Sequence, residues 1–195
     1  LDVPLRLSVE LGSATLPVRE FVSDKFIVMV TKKGIIKKTD LAAYSNPRAG
    51  GIIAISIDDA DELVDVQLTN GDQDIFLATR LGMAIRFRED EVRDMGRTAR
   101  GVRGINLDEG DEVVGVDIPA QSTFMLTVSE NGFGKCTPID EYRLQSRGGK
   151  GTINLKTVAK VGNVSGVLQV QGDEHIMLIS STGNVIRMKV QEIPV

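Results

Sequence analysis

The chain has almost none of the side chains that build reactive centres. Its 195 residues hold one cysteine, Cys136, one histidine, His175, and no tryptophan. A single cysteine excludes an internal disulfide and fits a reducing cytosol. With no second cysteine and no histidine close by in the sequence, Cys136 reads as a buried thiol rather than a nucleophile or metal ligand. His175 opens an apolar run and reads as structural or surface-placed, not catalytic. Aromatics make up only 4% of the chain, so the core has to be built from Val, Ile and Leu. No apolar run approaches the ~18 residues of a membrane span, and no membrane partner is expected. The opening Leu1-Asp-Val-Pro-Leu-Arg6 has no signal-peptide pattern and reads as the interior of a longer chain. Helices are missing too. No window combines a 3.6-residue apolar period with caps at both ends; Asp40–Tyr44 and Glu89–Met95 offer a turn or two at most.

What is present is repetition. Four stretches align on a glycine: Phe26–Lys38 on Gly34, Ile75–Phe87 on Gly82, Phe124–Cys136 on Gly132 and Ile176–Met188 on Gly183. Three residues before the glycine stand Thr31, Thr79, Ser129 and Ser180; four after it stand Lys38, Arg86, Cys136 and Arg187. A glycine between two apolar runs signals a hairpin, because it tolerates positive φ. After each of the first three hairpins come a polar link, a basic loop and a third apolar run (Ile52–Ile57, Val102–Leu107, Thr152–Leu155). A fourth run follows (Glu62–Val66, Glu112–Val116, Val164–Leu168). Four short strands in about 50 residues, repeated, predict an all-β, propeller-like pinwheel of four-stranded blades. The expected units are 21–70, 71–120 and 121–172. Residues 1–20, with Ala14–Val18 as last strand, form the tail of a preceding blade, and 173–195 form a partial one.

Charge follows the same period. The net charge of −4 argues weakly against a nucleic-acid partner, but the signs are segregated. Acids gather at Asp58–Glu62 and Asp108–Glu112. Cations gather in residues 32–51, 95–104 and 143–151, which contain the related loops 45–51, 95–101 and 145–151, and Gly51, Gly101 and Gly151 stand 50 positions apart. Candidate phosphate-binding residues are Arg48, Arg97, Arg100, Arg103, Arg143, Arg147 and Lys150. Such side chains neutralise phosphates and release counterions, and neighbouring glycines let backbone amides approach as well. One basic loop alone is more often a solvated loop; three at a fixed period point to a duplex backbone. No aromatic lies inside a basic loop, so base stacking is not expected. Lys32, Lys33, Lys37 and Lys38 flank a hairpin tip and are expected to keep an exposed edge from pairing, with a second DNA track as the lesser alternative. Gly148–Thr152 lacks the spacing of a phosphate loop, and the acidic turns match no calcium loop. Neither a metal nor a catalytic site is expected. The competing function is a protein-docking propeller, which would need aromatic or apolar anchors; only Tyr44, Phe133 and Tyr142 lie near the loops.

One loop points to a family. Gln145-Ser146-Arg147-Gly148-Gly149-Lys150-Gly151 resembles the gyrase A box, Gln-Arg-Arg-Gly-Gly-Lys-Gly, with Ser146 in place of an arginine. Asn131–Lys135 and Arg100–Ile105 also resemble pieces of the C-terminal domain of DNA gyrase A. The resemblance runs from Leu16–Glu20 to Ile186–Lys189. It implies a β-pinwheel whose basic rim wraps duplex DNA, without the catalytic tyrosine region and with no enzymatic activity of its own. The parent would be a bacterial, cytoplasmic, nucleoid-associated type IIA topoisomerase. Its ATP and Mg would be bound by other domains, and its partners would be the rest of gyrase A and the gyrase B polypeptide. The repeats and the loop pattern favour gyrase over its topoisomerase IV relative. In the family the box belongs to the first blade, whereas Gln145–Gly151 falls in a later repeat. It therefore reads as a rim loop that kept the box's shape.

Overall fold

The computed structural model describes residues 5–8 and 15–195. It is built of strands, with short 3-10 turns at Leu41–Tyr44, Glu89–Glu91, Ile139–Glu141 and Val190–Glu192. The first two turns fall on the two stretches that offered a turn of helix in the sequence. An N-terminal hairpin pairs β1 (Leu5–Ser8) with β2 (Thr15–Val18). Three repeats follow: β3 (Phe26–Thr31), β4 (Ile35–Asp40) and β5 (Leu63–Thr69); β6 (Asp74–Thr79), β7 (Met83–Arg88), β8 (Val102–Arg103) and β9 (Val113–Asp117); β10 (Phe124–Ser129), β11 (Gly134–Pro138), β12 (Thr152–Ile153) and β13 (Val164–Val170). A last hairpin joins β14 (His175–Ile179) to β15 (Val185–Lys189).

The aligned columns explain the hairpins. Thr31 Oγ1 accepts from the Ile35 amide at 3.3 Å, Thr79 Oγ1 from Met83 at 3.1 Å, Ser129 Oγ from Phe133 at 3.2 Å and Ser180 Oγ from Asn184 at 3.1 Å. The glycine itself sits in the left-handed region, at φ +74, +90, +78 and +83 in the four copies. A hydroxyl three residues ahead of it closes the turn from the inside.

The sheets do not keep to the repeat boundaries. One has the order β5-β3-β4-β8 and the next β9-β6-β7-β12, all antiparallel. The short strand after the second and third basic loops therefore joins the hairpin of the preceding repeat: Val102 pairs with Ile36, and Thr152 with Ala84. Its continuation covers the hairpin tip, with the Gly104 and Asn154 amides donating to the Gly34 and Gly82 carbonyls at 2.7 and 2.8 Å. In the first repeat Ile52–Ile57 forms no strand. Ile52, Ala54, Ile55 and Ile57 instead pack on a core cluster with Val18, Ile27 and Met29.

The core lies between sheets. Successive side chains of a strand point to opposite faces. Val28 and Val30 accordingly face Ile75 and Leu77 of the second repeat, while Ile27 and Met29 join the cluster on the other side. In turn Phe76 and Ala78 meet Met125, Ile139 and Tyr142 of the third repeat. The first strand of each inner repeat is covered on both faces, which is why Phe26–Val30 and Ile75–Ala78 are near-continuous apolar runs instead of alternating ones.

Two sequence expectations are overturned at β4. Its outer edge is not open, because β8 occupies it, and Lys37 and Lys38 are buried. Lys37 Nζ donates to the Ala54 carbonyl at 2.5 Å and also to the Arg97 carbonyl. Lys38 Nζ donates to the Glu89 carbonyl at 3.2 Å, lies 4.0 Å from the Glu89 carboxylate and sits over the Phe26 ring. Neither lysine blunts an edge or is free for DNA. Burial holds the Lys37 ammonium down at about 8, with the nearby Arg97 cation adding to the effect.

Candidate nucleic-acid interface

Strand exchange places the three basic loops one after another. The chain leaves β7 or β11, makes the 3-10 turn and is tied to the outer hairpin strand, β4 or β7, of the preceding repeat. The Met95 amide donates to the Lys38 carbonyl at 2.9 Å, and the Gln145 amide to the Arg86 carbonyl at 3.0 Å. Each loop then lies on the apolar run that follows the previous loop. Ser56 donates to the Ala99 carbonyl through its amide and to Thr98 through its hydroxyl, at 3.3 and 2.8 Å. The Asn106 amide donates to the Gly149 carbonyl at 2.9 Å, and the Gly148 amide to Gly104 at 2.7 Å. Loop 45–51 thus runs into the segment that supports loop 95–101, which runs into the segment that supports loop 145–151. The result is one row along one side of the sheet stack.

The predicted cations divide into three kinds. Arg48, Arg103 and Arg143 are exposed, and among the described residues their side chains form no ion pair. Arg100 and Lys150 are exposed but paired, Arg100 with Asp58 and Lys150 with Asp108 at 2.6 Å. Arg97 and Arg147 are part-buried. The Arg147 guanidinium donates to the Glu91 carbonyl at 3.2 Å and the Arg103 carbonyl at 2.6 Å, while its amide donates to the Glu91 carboxylate at 2.9 Å. Within the box-like stretch, then, Arg147 ties its loop to the preceding repeat, Ser146 is exposed and Gln145 is half-buried. Gly148 and Gly151 both stand at φ +80, and the Gly149 carbonyl between them accepts from Asn106.

Sequence reading passed over Arg93. It is exposed beside the second loop and stands 50 positions before Arg143, so extending the loop column by two residues would have found it. Cations on the outer hairpin strands that bridge repeats were also not legible in the sequence. Arg86, in the Lys38 column, forms an ion pair with Asp74 at 2.7 Å and donates to the Ile139 and Tyr142 carbonyls of the next repeat at 2.9 and 3.3 Å. Lys38 and Arg86 bind neighbouring repeats together.

Aromatic anchors are scarce on the rim. Tyr44 and Tyr142 are buried, and burial pushes both phenols above their ordinary range. Tyr142 packs edge-on to Phe76 and donates at 2.6 Å to Asn154 Oδ1. Phe133 is exposed. Cys136 is buried, which raises its thiol pKa. Among the described residues no three or more His, Cys, Asp or Glu converge on a metal position, and no helix is long and apolar enough to cross a membrane.

Comparison with known proteins agrees with this architecture. The family model described as DNA gyrase C-terminal domain, beta-propeller, matches residues 25–70, 73–120, 123–171 and 174–195. DNA gyrase A of Salmonella typhimurium (strain LT2) is 45% identical over 183 residues, covering 94% of this chain and 21% of that protein. The crystal structure of the C-terminal domain of DNA topoisomerase IV superposes with a TM-score of 0.86 at 30% identity, over 92% of this chain and 56% of that one. The structure of the DNA gyrase A C-terminal domain superposes at 0.84 and 25% identity, over 93% and 61%.

Proposed function

The chain belongs to the DNA gyrase C-terminal domain family, and from that premise we propose that it binds duplex DNA through the phosphates and bends it along the row of basic loops. The observation that carries this reading is the stacking of loop 95–101 on the run that follows loop 45–51, and of loop 145–151 on the run that follows loop 95–101, which sets the basic loops at the fold's own period. Bending 20–30 base pairs by 40–90° costs on the order of 1–6 kcal/mol. A single loop does not offset that; a row acting on one duplex does. Contacts come from Arg48, Arg93, Arg103 and Arg143, with loop amides beside the glycines, and carry little base preference. Loop 145–151 acts as one member of the series, and Arg147 shapes it rather than touching phosphate.

The chain spans 21% of the length of the gyrase A relative. We place it as part of the C-terminal region of such a polypeptide, in the bacterial cytoplasm and on the nucleoid. The supercoiling chemistry, with its ATP and Mg, belongs to the other parts of gyrase A and to gyrase B. A protein-docking role is disfavoured because the two tyrosines nearest the loops are buried. The test is duplex binding by the 195-residue chain across a salt series, with a bending assay on the same complexes. Expected is a steep fall with salt, and loss of both binding and bending in Arg48→Glu/Arg103→Glu/Arg143→Glu. Absence of duplex affinity at low salt would refute the proposal.

A further inference from the structure

The row of loops carries its own competitor for phosphate. Arg100 and Lys150 occupy the same position in successive loops, just before Gly101 and Gly151, and each is paired with a carboxylate 42 residues earlier. Asp58 and Asp108 are the first residues of the two acidic turns. Each turn ends the run on which the next loop lies, so the Ser56–Ala99 and Asn106–Gly149 hydrogen bonds bring acid and cation together in both repeats. All four side chains are well exposed, at 63% and 47% for Arg100 and Asp58, and 64% and 63% for Lys150 and Asp108. Neither pair braces a core. Where one partner is missing the device is missing as well: the first loop has Gly50 at the cation position, and Val158 replaces the acid in the third repeat.

We infer that Asp58 and Asp108 tune DNA binding by withholding Arg100 and Lys150 from phosphate, so that the loops hold DNA less tightly than their charge allows. This rests on the DNA-binding reading above. An exposed cation in contact with a carboxylate releases no counterion when a phosphate arrives, because its charge is already met. Removing the carboxylate therefore adds a phosphate contact. Removing an unpaired acid nearby only weakens a long-range repulsion. The second effect is available as a control in the same turns. Asp59 and Glu109 are exposed and, among the described residues, make no side-chain hydrogen bond or ion pair.

The experiment compares Asp58→Asn/Asp108→Asn with Asp59→Asn/Glu109→Gln, equal in charge change, in the 195-residue chain. The probe is a mixed-sequence duplex titrated across a salt series. The first variant is expected to gain about two- to fivefold in affinity per pair beyond the control. Its log–log salt slope should steepen by about 0.9 for each cation released, and the control's should not change. In an Arg100→Ala/Lys150→Ala background the steepening should vanish. Equal slopes for the two variants, in a chain that binds duplex, would overturn this inference alone. A chain that binds no duplex at low salt would overturn the proposed function and this inference with it.

Discussion

Three glycines at one position of the repeat allow strand exchange to be weighed against backbone conformation. Gly51, Gly101 and Gly151 all sit in the left-handed region, at φ +80, +105 and +80, just where a basic loop turns into its exit run. Replacing any of them with alanine incurs the conformational term, about 1–2 kcal/mol. The surroundings differ. A Cβ on Gly151 would stand 2.2 Å from the Ala84 carbonyl oxygen and 2.8 Å from its carbon, and one on Gly101 would stand 2.6 Å from the Ile36 oxygen. Among the described residues nothing lies within 4 Å of the same atom on Gly51. The obstructing atoms belong to β7 and β4, the strands that β12 and β8 join. No rotamer change moves a backbone carbonyl, so relief requires the exchanged strand to lift off. That adds about 1–3 kcal/mol for the overpacked contact and endangers the Asn154 amide bond to Gly82. Expected by urea unfolding is a loss of about 1–2 kcal/mol for Gly51→Ala and of about 2–5 kcal/mol for the other two. Amide exchange should report lost protection at Asn154 in Gly151→Ala. Equal losses at all three positions would refute the view that the exchanged strand holds adjacent repeats together.

Other perturbations probe the buried charges and the loop staple. Glu89 accepts from Thr69 Oγ1 at 2.5 Å and from the Gly71 and Gln73 amides at 3.1 and 3.2 Å, beside the Lys38 ammonium. Glu89→Ala should cost about 3–5 kcal/mol, and a double-mutant cycle with Lys38→Met should show coupling of about 1 kcal/mol or more; additive losses would contradict the pairing. Burial holds Lys37 at about 8, below its ordinary 10.5. Below pH 8 it is charged in both folded and unfolded states. Between these values the unfolded chain binds the extra proton, so this group makes stability rise with pH across that window, on the order of 3 kcal/mol in total. Subtracting the stability–pH curve of Lys37→Met from that of the unaltered chain isolates the rise, and a flat difference would exclude it. Arg147→Ala should lower stability by about 1–2 kcal/mol through its carbonyl contacts, whereas Arg143→Ala should leave stability within about 0.5 kcal/mol and weaken duplex binding. Thermal unfolding and filter binding separate the two.

Much of the fold was legible because it is local. The hydroxyl and glycine columns close each hairpin within five residues, and the continuous apolar runs announce strands covered on both faces. The order of the basic loops was legible for the same reason: a 50-residue period carries every loop to the equivalent place. The lysines of β4 were misjudged because Lys37 and Lys38 look like a charged edge until a strand from more than 60 positions later covers them.

The sequence by itself determined the hairpins and the recurrence of the basic loops, since each hairpin depends on residues within a few positions of one another and the loops follow the repeat's own period. Only the tertiary structure decided which sheet each short exit strand joins, because the pairs Val102–Ile36 and Thr152–Ala84 span 66 and 68 positions and a two-residue strand has no period to read. It also decided which cations are open to a ligand. Among the described residues Arg48, Arg103 and Arg143 form no ion pair, Arg100 and Lys150 are held by carboxylates, and Lys37, Arg86 and Arg147 are spent on carbonyls. A cation's availability depends on what lies about 3 Å from its nitrogen, and here those neighbours come from another loop, strand or repeat.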